Sequence, residues 1–132
     1  MATAKRNRVE EREQARVVRW SHLQAVRAVA PELRWLHHSP NGGRRDGFTG
    51  AQMVALGVKR GWPDLVLPVP GGGLAIEMKA EDGRVSAEQS DWLAHLAACG
   101  WTTAVCRSAE DARVALLRFL GICDRSAPEL PS

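Results

Sequence analysis

Between residues 64 and 79 the chain reads DLVLPVPGGGLAIEMK, two apolar runs joined through a proline-glycine turn. Short runs rich in Val, Leu and Ile on either side of such a turn predict an antiparallel hairpin buried in a core. Side chains alternate along a strand, so Glu77 and Lys79 share one face while Ile76 and Met78 take the other. The same hairpin brings Asp64, at the start of its first strand, beside Glu77. Two carboxylates and an ammonium therefore converge on strands otherwise suited to burial.

The remaining sequence supplies layers around this hairpin. No Pro or Gly interrupts residues 9 to 29, and i+3 or i+4 steps join Gln14, Val18, His22, Ala25 and Val29. That pattern predicts one long helix with a single buried stripe, ended by Pro31. LRWLHH at 33 to 38 predicts a short strand, followed by the basic, glycine-rich loop SPNGGRRDG. Thr49 caps a short helix that Gly57 stops, and Ser86 with Gln89 forms the capping-box pattern of a helix closed by Gly100. WTTAVC at 101 to 106 predicts a fourth strand. Ser108 and Asp111 open a last helix to about Leu120, and DRSAPELPS reads as a frayed tail. This order implies an α/β fold, a mixed sheet of about four strands flanked by helices.

A chain of 132 residues fits one core, and 45% hydrophobic with 25% charged residues exclude a disordered or fibrous class. No apolar run is long enough to span a membrane, and the charged start of the chain lacks the apolar stretch of an export signal. Cys99, Cys106 and Cys123 are odd in number and lack CxxC spacing, which points to a reducing, cytoplasmic compartment. The net charge is only +3, yet Lys5, Arg6, Arg8, Arg12, Arg16 and Arg19 crowd the start of the chain. Such a cluster attracts phosphate backbones, although Glu10, Glu11 and Glu13 are interleaved and can pair with it locally.

Asp64 and Glu77 are the hard oxygen ligands that Mg²⁺ or Mn²⁺ takes, the Met78 carbonyl offers another, and water and a substrate phosphate complete the shell. Lys79 would orient or deprotonate the attacking water and offset negative charge. The plainer alternative is a cross-strand ion pair beside a turn aspartate. His37 and His38 do not suggest zinc, because adjacent strand residues face opposite ways and no further His or Cys has ligand spacing. Of the five tryptophans, only Trp62, beside Pro63 and Asp64, is placed for base stacking at this site.

The stretch GVKRGWPDLVLPVPGGGLAIEMKAEDGRVSAEQSDWL resembles the core of the virus-type replication-repair nuclease (VRR-NUC) family, a branch of the PD-(D/E)xK superfamily. SPNGGRR upstream resembles the family's basic loop, and ACGW with its following strand resembles the later half. The likeness is to short stand-alone members from phages and bacteria. It implies a restriction-endonuclease-like core over residues 10–121, with a basic arm at 1–9 and a flexible tail at 122–132. The implied activity is Mg²⁺-dependent cleavage of structured or branched DNA, including four-way junctions. Too little surface to grip two duplex arms implies a homodimer.

The resemblance also implies a metal-binding acid in the first helix. The family's Glu four residues before a Gln selects Glu10 with Gln14, and helical phase agrees through Val18, while Glu11, near the same stripe through Ala15, and Glu13 remain open. Gln89 matches a family position near the metal or the DNA, besides its reading as the capping partner of Ser86. Asn41, Arg44, Arg45, Lys59, Arg60 and Arg84 are the candidate DNA contacts.

Overall fold

A computed structural model of the chain describes residues 2–40 and 50–132. Strands β1 (Leu65–Val69) and β2 (Gly72–Met78) form the expected antiparallel hairpin, in register from Leu65 opposite Ile76 to Val69 opposite Gly72. β3 (Thr102–Cys106) adds parallel to β2, so β2 is central in the order β1-β2-β3.

Helix α1 (Ala2–Ser21) starts seven residues before the expected Val9. It is followed by α2 (Gln24–Val29), α3 (Gly50–Ala55), α4 (Ala87–Ala98) and α5 (Ala109–Phe119). Leu65, Leu67, Leu74, Ile76 and Met78 pack on one side of the sheet against Val17 and Trp20 of α1 and Leu116 and Leu117 of α5. On the other side Val66 and Ala75 meet Leu96 of α4, with Trp62, Trp92 and Trp101 around them. β2 is therefore covered on both faces, and any charge on it leaves water.

The long first helix of the sequence reading is two helices. Leu23 is extended (φ −62°, ψ 136°), and the Arg27 guanidinium donates to the Ser21 carbonyl left open at the end of α1. The break turns Trp20 and Val26 into one core, and Val29, expected on the buried stripe, is 40% exposed. The expected strand at 33 to 38 is instead a 3-10 turn, Pro31–Trp35. Pro31 has no N–H to give a sheet but fits a first helical turn, which buries Leu33 and leaves only His37 to bridge Val66. The described sheet accordingly has three strands rather than about four.

The C-terminal segment also differs from the frayed tail expected. Trp20 Nε1 donates to the Pro128 carbonyl at 2.7 Å, and the buried Arg113 guanidinium donates to the carbonyls of Asp124, Ala127 and Pro128. A guanidinium buried under α5 needs acceptors, and this stretch of backbone provides them. The Gly100 stop lies where expected, with φ 90°. No helix among the described residues is long and apolar enough to cross a membrane.

Candidate active site

Asp64 is aimed by the segment that leads into β1. Gly61 has φ 90°, and a Cβ there would lie 2.5 Å from the Glu88 carbonyl carbon, so only glycine lets this segment press on the start of α4. Trp92 Nε1 donates to the Arg60 carbonyl at 3.0 Å, and His38 Nδ1 donates to the Asp64 carbonyl at 2.6 Å. Held in this way, Asp64 turns its Oδ2 onto β2, where it accepts from the Met78 N–H at 2.8 Å. His37 and His38 are thus tied to the backbone around β1.

Glu77 lies on the α4 side of β2 and is 2% exposed. Its Oε2 accepts from Gln89 Nε2 at 3.3 Å, while its Oε1 is buried without a hydrogen-bond partner among the described residues. Burial, then the close approach and charge of the Asp64 carboxyl, push the Glu77 carboxyl up to about 10. Lys79 opposes that rise and Glu10 adds to it. Asp64, Lys79 and Glu10 are therefore each within electrostatic reach of Glu77. Lys79, just past β2, is half-buried, and its N–H donates to the Cys106 carbonyl at 2.9 Å. Its side chain and Glu10 line a cleft of about 360 Å³. Met78 buries its side chain on the opposite face.

Gln89 caps its helix and also reaches Glu77. Its backbone N–H and side-chain Oε1 complete the capping box with Ser86, which leaves Nε2 to reach Glu77. The helix that covers the site is thereby fastened to it.

The three acids of α1 separate by position. Glu10 Oε2 accepts from the Ala80 N–H at 2.9 Å, directly after Lys79. Glu13 instead accepts from the Ala109 N–H at the start of α5 and from Arg16. Partial burial alone would raise the Glu13 pKa, but these bonds and the Arg16 and Arg12 charges hold it below the ordinary carboxylate value. Glu11 is exposed. Glu10 therefore lies beside the segment after Lys79, and Glu13 in the α1–α5 joint.

Of the candidate DNA contacts, Arg84 lines the Glu10–Lys79 cleft, whereas Lys59 and Arg60 are exposed beside Trp62 and Trp92. Asn41, Arg44 and Arg45 lie outside the described residues. Trp62 meets Trp92 edge to face at 4.9 Å and packs on Val66, Ala75 and Leu96, so its visible role is to seat α4. Sequence reasoning missed Arg107, whose guanidinium donates to the carbonyls of Ala80, Glu81 and Gly83 and braces the segment after Lys79. Nothing local to Arg107 announces this, because its partners are backbone atoms 24 to 27 residues away.

Among the described residues no three Asp, Glu, His or Cys side chains form a ready-made metal cage. The site offers a carboxylate pair with one unpartnered oxygen, which suits Mg²⁺, an ion commonly held by one or two carboxylates plus water and substrate phosphate.

A mixed sheet with an acid pair at the open end of its β1–β2 hairpin and a lysine two residues after Glu77 is the arrangement expected of a PD-(D/E)xK nuclease core. A model of the VRR-NUC domain matches residues 2–110, and the chain belongs to this nuclease family. A solved structure described as a "VRR_NUC domain protein" shares the fold with a TM-score of 0.68 and 24% identity, covering 93% of this chain and 98% of that one. No curated protein matches the chain.

Proposed function

We propose that the chain is a Mg²⁺-dependent DNA endonuclease, with Mn²⁺ able to substitute, acting as a homodimer on structured or branched DNA in replication, recombination or repair. The observation that carries this reading is Glu77 Oε1, a buried carboxylate oxygen with no partner beside a second carboxylate. A fold leaves such an oxygen bare at a cost, which a bound cation relieves. The alternative of a DNA-binding scaffold on the same fold is disfavoured because Asp64, Glu77 and Lys79 are all present.

In this reading Asp64, Glu77 and the Met78 carbonyl would hold the metal, and Glu10 would add negative charge from α1. A bound Mg²⁺ supplies Lewis-acid polarisation of the phosphate. The Lys79 ammonium orients the attacking water and balances charge that grows on the phosphate oxygens. Gln89 holds Glu77 in place, and the α4 cover keeps bulk water away from it.

The substrate class is read by a panel of linear, flap, nicked and four-way-junction DNA in Mg²⁺, Mn²⁺ or EDTA. Cleavage is expected to favour the junction, and equal rates on linear duplex would remove the branched-DNA assignment. A second comparison separates the α1 acids. Glu10→Gln should raise the Mg²⁺ concentration needed for half-maximal cleavage. Glu13→Gln should leave it unchanged and cost about 1 kcal/mol of stability, because the amide loses the charge that strengthens the bonds to Ala109 and Arg16. Because the folded Glu13 pKa is lowered, its stabilisation is present above the ordinary carboxylate value and fades as pH falls through the lowered one. Metal dependence altered only in Glu13→Gln would reverse the assignment.

A further inference from the structure

One face of α1 changes character along its length. From Glu13 onward it is turned into the molecule through Val17 and Trp20, whereas the same face earlier presents Arg6, Asn7 and Glu10 to the cleft shared with Lys79. Across the cleft stand Asp82 and Arg84, on the segment braced by Arg107 and tied to Glu10 through the Ala80 N–H. The cleft wall is therefore fixed on both sides.

Its charges are not used up within the protein. Arg6 reaches Asp82 only at 3.9 Å, with Asp82 75% exposed, and Arg84 makes no ion pair among the described residues. Such an exposed pair contributes little to stability and yields readily to a stronger anion. Three cations, Arg6, Lys79 and Arg84, face Glu10 and Asp82, and Glu10 is already engaged by the Ala80 N–H. A guanidinium with spare donors beside a side-chain amide matches the oxygens of a phosphodiester.

We propose that this cleft is the groove for the DNA strand flanking the cut, with Arg6, Asn7 and Arg84 holding the phosphate next to the scissile one. The inference rests on the nuclease reading above and assigns α1, not only the loops, to the substrate. Asp82 competes with the phosphate for Arg6, so its charge weakens binding.

The test measures affinity for uncut DNA in Ca²⁺, for the unaltered protein and for Arg6→Ala, Arg84→Ala and Asp82→Asn. Arg6→Ala and Arg84→Ala should each weaken binding about tenfold and lower its salt dependence by about one counterion. Asp82→Asn should tighten binding a few-fold, and Arg12→Ala, an exposed arginine of the same helix, should stay within about twofold. A single neutral methylphosphonate is then moved along the strand. At one position it should weaken the unaltered protein as much as Arg6→Ala does, and have no further effect on Arg6→Ala. Arg6→Ala and Arg84→Ala within twofold of the unaltered protein, or equal methylphosphonate losses in both proteins at every position, would overturn the groove. Absence of cleavage in Mg²⁺ by the unaltered protein would instead overturn the nuclease reading, while the binding comparison still decides the groove. A protein that binds no DNA overturns both.

Discussion

Glu77→Gln should abolish DNA cleavage and at the same time raise the melting temperature of the metal-free protein. Glu77 is 2% exposed, lies against Asp64, and has one oxygen without a partner. An amide keeps the volume, still accepts from Gln89, and can donate to Asp64 without the cost of holding a buried carboxyl protonated at neutral pH. Relief of this kind is worth about 1 to 2 kcal/mol, or roughly 3 to 8 °C for a chain of this size. The same change removes the charge that a divalent ion needs, so single-turnover cleavage should fall by on the order of a thousandfold or more.

The pH dependence has a definite sign. Glu77 in the folded chain is pushed up to about 10, above its value when unfolded, so its contribution is complete in acid and fades as pH rises through that value. The melting temperature of the unaltered, metal-free protein should therefore fall from neutral toward alkaline pH, and Glu77→Gln should flatten that decline. Scanning calorimetry across pH, with cleavage assays on the same preparations, reads both effects. A Glu77→Gln protein that melts lower and cuts normally would make Glu77 a structural ion-pair residue.

Lys79→Ala should separate chemistry from binding. Lys79 shares its cleft with Glu10 and lies within electrostatic reach of Glu77, which in the proposed reading sets its ammonium beside the reacting phosphate. Loss of a group that steadies the transition state costs about 3 kcal/mol, roughly a hundredfold to a thousandfold in single-turnover rate. Affinity for uncut DNA in Ca²⁺ should change only a few-fold, because Lys79 is one cation among several in the cleft. Lys79→Arg should not restore the rate, since a planar fork replaces a compact ammonium. Normal cutting with much weaker binding would make Lys79 a phosphate contact and leave the chemistry to the carboxylates.

The parts of the molecule legible in sequence are those fixed by short-range rules. The PGGG hairpin, the alternation that sets Glu77 and Lys79 apart from Ile76 and Met78, and the Ser86–Gln89 box each depend on neighbours a few residues away. What was not legible depends on distant partners. Glu10 and Glu13 have the same local signature, yet one meets Ala80 and the other Ala109. The tail looked frayed because its anchor, Arg113, reveals nothing of its acceptors until α5 is packed. The break after Ser21 was hidden for a related reason, since a helix through His22 violates no propensity and only the joint burial of Trp20 and Val26 favours the bend.

The most direct test of the Asp64–Glu77 centre is the single-turnover cleavage rate of an end-labelled four-way junction by the unaltered protein, titrated with Mg²⁺ and then with EDTA. The rate should rise and saturate with Mg²⁺, fall to background in EDTA, and stay at background at every Mg²⁺ concentration in Asp64→Asn. Cleavage that persists in EDTA, or an Asp64→Asn protein that cuts at the unaltered rate, would contradict that centre.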